Sequence, residues 1–359
     1  MRVLLTGHQG YLGSVLAPRL LLDGHQVVGL DSGLFADCVL GPAPDDPINL
    51  VEDLRDVTVE QLTGFDAVLH FAALSQPLSH DPMPNDPLSY HPLSSPRSRI
   101  THEINVAAST RLAELAKRAG VARFVYASTC AVYGAQGAHA LVDEDAALRP
   151  VCPQAEAKVR VEDTLWELAD DDFGPTALRC ATAFGFSPRQ RTDVALNNLV
   201  GQAVLGGVVR VNSGGHAWWP LVHADDIAAA VLAVLAAPRG AVASRPFNVG
   251  TGQNNRTLAD IARTVVDAVP GARLLGTGET TMRCPRVDFG RLPSAAPEFR
   301  PRWSIADGVE ELVTAYRLHG MTRDDFDRRG SRLARLSQLH DRYDLTADLR
   351  PVASWAGRP

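Results

Sequence analysis

The chain has 359 residues, 45% of them hydrophobic, and a formal net charge of −6. That is enough apolar sequence for a sizeable core or two adjoining lobes, and the acidic balance argues against a nucleic-acid surface. Five scattered cysteines (Cys38, Cys130, Cys152, Cys180 and Cys284) are odd in number and lack metal-ligand spacing, so we expect reduced thiols, no metal and a cytoplasmic setting.

The chain opens on an apolar run, Val3 to Leu5, which reads as a strand over Arg2–Thr6. Glycines then follow three apart, at Gly7, Gly10 and Gly13. An amphipathic helix over 11–22 places Leu12, Val15, Leu16 and Leu20 at helical spacing. Strand, glycine turn and helix in this order form a dinucleotide cradle. Gly7 permits the tight turn, Gly10 lets the backbone approach a pyrophosphate, and Gly13 lets the helix pack on the strand. The helix N-terminus adds unpaired N–H groups and a partial positive charge. Gly7, Gln9, Gly10, Tyr11, Leu12 and Gly13 are therefore the candidate pyrophosphate cradle. A second strand over 26–30 ends in Asp31, the position from which a carboxylate reaches an adenosine ribose and repels a 2′-phosphate. With Ser32 and no arginine following directly, NAD is expected in preference to NADP.

Further strands are expected over 67–71 and 124–127, with a helix over 100–119 stopped by Gly120. Such alternation means an α/β fold, a Rossmann-type doubly wound parallel sheet with ligands at the strand C-terminal ends. Five prolines between Ser79 and Arg99 exclude regular structure there, and a loop of that length is either a lid or an insertion without function. From residue 176 onward, strands over 176–179, 208–212 and 246–249 alternate with helices over 194–205, 225–237 and 258–269. The longest apolar run, 227–238, is too short to span a bilayer. The charged tail over 324–350 carries Leu333, Leu336 and Leu339 on one stripe, an amphipathic helix docked on the body or on a partner subunit and not a cofactor element. Residues 1–177 form the expected NAD-binding domain, with returning segments near 221–250. Residues 178–220 and 251–315 form a smaller C-terminal substrate lobe, and 316–359 a helical tail.

Several motifs together resemble the extended short-chain dehydrogenase/reductase family, in its NAD-dependent epimerase/dehydratase branch. They are Thr6-Gly7-x-x-Gly10-x-x-Gly13, Phe71-Ala72-Ala73, the helix residue Asn105, and Tyr126-Ala127-Ser128-Thr129-Cys130-Ala131-Val132-Tyr133-Gly134. Leu178-Arg179 through Phe184-Gly185, Leu221 to Asp226, Phe247 to Gly250, and Arg283 with Val287-Asp288-Phe289 continue the match over about residues 1 to 315. The resemblance implies that Thr129 hydrogen-bonds the reacting oxygen, and that Phe71, Ala72, Ala73, Asn105, Ser128 and Lys158 contact the cofactor. It also implies that Asp53 and Leu54 meet the adenine edge, that Ser75, Thr182, Asn197, Trp219 and Arg283 face the substrate, and that the protein is a homodimer. Asp53 also reads as an exposed loop acid.

The chain departs from that family at three places. The family's catalytic pair is a tyrosine four residues before a lysine; Lys158 is present in a helix beginning near Pro153, but position 154 is Gln154. A glutamine amide cannot titrate, and losing a general acid/base removes about 10²–10⁴ in rate. Thr129, Tyr133, Cys152, Glu156, His80, His91, His102 or the substrate's own hydroxyl could stand in, Tyr133 also reading as a packing residue. Second, Trp219 replaces the arginine that grips a diphosphate in sugar-nucleotide members. A flat apolar surface stacks on a ring but does not bind phosphate, and the two tryptophans, Trp218 and Trp219, read equally as core filling. Third, Cys130 and Ala131 stand where 4,6-dehydratases carry Asp-Glu, which argues against dehydration.

The leading expectation is an enzyme that moves a hydride at a hydroxyl or keto carbon of a sugar-like, nucleotide-linked intermediate, without nucleic-acid or membrane partners. The alternatives are a ketoreductase of a bulkier natural product and a cofactor-bound protein without catalysis.

Overall fold

The computed structural model describes residues 1–74, 96–134, 136, 140–211, 217–276 and 285–352. The first strands are β1 (Arg2–Thr6), β2 (Gln26–Asp31), β3 (Ile48–Val51), β4 (Ala67–His70) and β5 (Arg123–Thr129). With Gly174–Cys180 and Arg245–Val249 they form a seven-stranded parallel sheet among the described residues. Its order is 245–249, 174–180, β5, β4, β1, β2, β3. Both faces are covered, so the central strands are nearly continuous apolar runs: Val3, Leu4 and Leu5 of β1 are all buried. Strand order reverses between β1 and β4, where Thr6 pairs with His70 on one side and Leu30 on the other. The crevice beyond these strand ends is where a doubly wound sheet takes its ligand.

β3 escapes detection in the sequence because it is a short edge strand whose Ile48 and Val51 are exposed, so it carries no burial pattern. The helix expected over 100–119 begins earlier, at Pro96, since a proline suits a first helical turn. It is interrupted by a π-helical turn, Glu103–Ala108, and continues as Ser109–Arg118. The remainder of the proline-rich stretch lies outside the described residues.

The second lobe packs helices Ala195–Gly206, Leu258–Ala268 and Ile305–Leu318 around one core containing Leu196, Val200, Ile261, Val265, Val309 and Leu312. A three-stranded sheet of Thr182–Phe184, Trp218–His223 and Asn255–Thr257 joins it. Residues 221–223 thus pair within the lobe sheet and not in the main sheet, where only Arg245–Val249 returns. The place beside Gly174–Cys180 is taken by that strand, whose Phe247 and Val249 are fully buried. No helix among the described residues is long and apolar enough to cross a membrane.

Candidate active site

Gly7 sits at φ +75°, and a Cβ there would come within 2.7 Å of the Ala72 nitrogen. One on Gly13 would come within 2.1 Å of the Gly7 carbonyl oxygen. The turn between β1 and the helix Gly13–Leu22 therefore approaches the Phe71-Ala72-Ala73 turn as only glycine permits. Gly7, Gly10, Asp31, Ser32, Asp53, Leu54, Phe71, Ala72 and Ala73 line one pocket at this crevice. The residues fit a dinucleotide: a glycine cradle at a helix N-terminus, and a carboxylate one strand away. Asp31 accepts N–H groups from Gln9 (3.1 Å) and Gly33 (2.9 Å), while burial pushes its carboxyl upward. Asp53 takes a three-bond clasp from Arg55, at 2.6 to 2.9 Å, which fixes the carboxylate and excludes the exposed-acid reading.

Other expected cofactor residues act at one remove. Asn105 is buried and spends its amide on Leu74, accepting its N–H and donating to its carbonyl, each at 2.8 Å. Its side-chain amide thereby fixes Leu74, which lines the pocket. The Ser128 hydroxyl donates to buried Glu162, so that side chain is turned from the pocket. Gln9 donates its side-chain amide to Asp46 and its main-chain N–H to Asp31, Leu12 packs against the sheet core, and the Tyr11 phenol donates to the Gly185 carbonyl at 2.8 Å, so these side chains serve to shape the turn. Under the cradle lies His8, fully buried against Gly29.

The catalytic candidates divide. Thr129 ends β5, half-buried, and its Oγ1 accepts the Ala131 N–H at 3.2 Å. The hydroxyl proton stays available. Lys158 is buried, donates to the Ala127 carbonyl at 2.7 Å and lies 4.6 Å over the Tyr126 ring. Burial pushes its ammonium down to about 8. Gln154 is half-buried one turn earlier on the helix Pro153–Leu168. Tyr133 is removed from the catalytic set: fully buried in the sheet core, its hydroxyl donates to Asn248 at 2.6 Å and accepts from Arg179 at 3.1 Å. Packing is its role. The Cys130 thiol likewise faces inward, donating to the Arg179 carbonyl. His102 and Glu156 lie near Arg160 on another face of the Lys158 helix, and Glu156 pairs with it. His80 and His91 lie outside the described residues.

On the substrate side, Thr182 and Trp219 are brought together, the indole N–H donating to Thr182 Oγ1 at 2.9 Å. Thr129 is in register with Cys180, two residues before Thr182, so both threonines stand at the C-terminal end of the sheet. Trp219 is half-buried and packs on the lobe core; Trp218 lies under the Arg286 guanidinium, 5.1 Å from the ring centre. Asn197 is excluded from the substrate set. It is fully buried and donates to the Gly185 and Arg191 carbonyls and to the Tyr11 hydroxyl while accepting the Gly185 N–H. Ser75 and Arg283 lie outside the described residues.

The pocket has a wall that the sequence does not announce. Leu34, Phe35, Leu74 and Ile104 line it, and so does Leu349. The tail helix, Arg332–Asp341, docks on the body, and Leu349 of the segment after it lines the same pocket as Gly7 and Asp31. Nothing in the local sequence signals this, because the contact is made across almost the whole chain.

The profile of the NAD dependent epimerase/dehydratase family matches residues 3–250. A UDP-glucose 4-epimerase of Mycolicibacterium smegmatis is 29% identical over 337 residues, covering 88% of this chain and 99% of its own length. A dTDP-glucose 4,6-dehydratase of Streptomyces niveus is 28% identical over 347 residues, covering 88% and 93%. The solved structure of MoeE5 in complex with UDP-glucuronic acid and NAD has a TM-score of 0.71 at 25% identity, covering 89% of this chain and 99% of that one.

Proposed function

The chain belongs to the NAD-dependent epimerase/dehydratase family, and from that premise we propose that it moves a hydride at a hydroxyl or keto carbon of a nucleotide-linked sugar. Its cofactor is NAD, which the glycine cradle and Asp31 fit. When bound, NAD would supply a reversible hydride acceptor. The observation that carries the reading is Lys158, held on the Ala127 carbonyl two residues before Thr129 ends β5, with Gln154 one turn earlier on the same helix.

Thr129 donates a hydrogen bond to the reacting oxygen, and Gln154 holds it without titrating. Lys158 carries the proton. Held by the Ala127 carbonyl and desolvated, its ammonium lies near 8, a value at which it both donates and accepts within a neutral range. Elimination is disfavoured, since the Cys130 thiol faces the core and Ala131 has no acid or base. Trp219 beside Thr182 offers a flat surface to the sugar or its base. The relatives' ligands support a nucleoside diphosphate: MoeE5 holds UDP-glucuronic acid.

The test has two arms. Thermal shifts with UDP, dTDP and GDP should show stabilisation by one of them. NAD-loaded protein given the matching nucleotide sugars should then yield an isomer without net NADH. Stabilisation by none of the nucleotides removes the reading. Gln154 favours one rival, ketone reduction, in which Thr129 and Lys158 stabilise a developing alkoxide and water brings the proton. Steady consumption of added NADH with a ketone would select it.

A further inference from the structure

Leu349 stands at φ +59°, a left-handed conformation that a leucine rarely adopts. A branched side chain held there is retained by its surroundings. It is buried and lines the pocket beside Asp31, Asp53 and Leu54. The tail around it is tied to three of the loops that shape this pocket, those after β2, β3 and β4. After β2, Leu34 joins Leu336, Leu339, Leu345 and Leu349 in one apolar cluster; after β4, Leu74 joins the same cluster. After β3, Arg55 holds the Asp53 carboxylate and also donates to the Asp348 carbonyl at 3.0 Å. Arg350 pairs with Asp56 in the same loop.

We propose that Leu349 and the segment carrying it form a wall of the adenosine subsite and hold NAD in place through turnover. Three loops and the tail must separate before the adenosine half leaves. A cofactor so held suits an enzyme that oxidises and re-reduces the same substrate, and not one that exchanges NADH with solution each cycle. The proposal thus rests on the NAD reading of the pocket and deepens it.

The experiment is a chase. Protein loaded with fluorescent etheno-NAD, altered only at adenine, is mixed with excess NAD and the rate of dye release is followed. Unfolding midpoints are recorded in parallel. Leu349→Gly removes the side chain and suits the backbone angle, and should release dye about tenfold faster or more, the effect of losing one buried leucine contact. Arg350→Ala, at a more exposed pair, should give a smaller increase and serves if the first variant does not fold. Unchanged release in a folded variant overturns the proposal even if the midpoint falls, because the tail is then only a structural tether. Slower release also overturns it, making Leu349 a plug. If the wild-type protein retains no dye while binding unmodified NADH, the same chase is read with NADH. If it binds neither, the NAD reading fails first.

Discussion

Position 154 is where a single residue changes the chemistry most. Lys158 is retained one turn after it, so restoring a phenol at position 154 is an informative change. Gln154→Tyr should raise the single-turnover rate of NAD reduction by on the order of 10², read as NADH absorbance after mixing with a nucleotide sugar. If Lys158 carries the proton in the wild type, substrate oxidation should rise with pH through about 8, where the free amine accumulates, and Lys158→Arg should flatten that profile. His70 gives a separate stability signal. It is buried between Thr6 and Ser109, and burial holds its imidazolium down to about 3. The unfolded chain, with an ordinary histidine near 6.5, binds the proton first. Stability is therefore complete above about 6.5 and declines as pH falls toward 3. Urea midpoints at pH 7 and pH 5 should differ, and less so in His70→Gln.

Among the elements, the helix Pro153–Leu168 does two jobs along one face, on which Gln154, Lys158 and Glu162 follow four residues apart. Lys158 donates to the Ala127 carbonyl of β5. One turn on, Glu162, fully buried, meets Arg179 at 2.7 Å and Ser128. Arg179 in turn holds Tyr133 and the Glu144 carbonyl. This buried pair fixes the helix on the sheet and so the lysine at its strand. Glu162→Gln leaves Arg179 uncompensated and should cost about 3–5 kcal/mol in urea unfolding. The π-helical turn Glu103–Ala108 is the other positioning device, its extra residue turning Asn105 onto Leu74. Its location was legible as a helix asparagine. Its role was not, because a π turn leaves no trace in apolar periodicity. The glycine turn is legible in the sequence because Gly7 and Gly13 each answer a local steric demand.

At the scale of the molecule, one pocket joins the first strand turn, Gly7 and Gly10, to Leu349. Removing NAD should therefore lower the melting temperature of the whole chain. Saturation at about 100 times Kd stabilises by roughly 2.7 kcal/mol, read by comparing stripped and reloaded protein in a thermal scan. The parallel doubly wound sheet, the glycine turn after β1, the carboxylate of Asp31 and the pairing of Lys158 with a glutamine are all legible along the chain. These are local matters of periodicity, turn sterics and side-chain chemistry, each complete within a few residues. It takes the fold to show that Tyr133 and Asn197 are sealed in the interior, that the Asn105 and Ser128 side chains bond other protein groups, and that Leu349 lines the pocket. Those outcomes depend on which distant segments satisfy a buried polar group or cover an apolar one, and no local pattern encodes that choice.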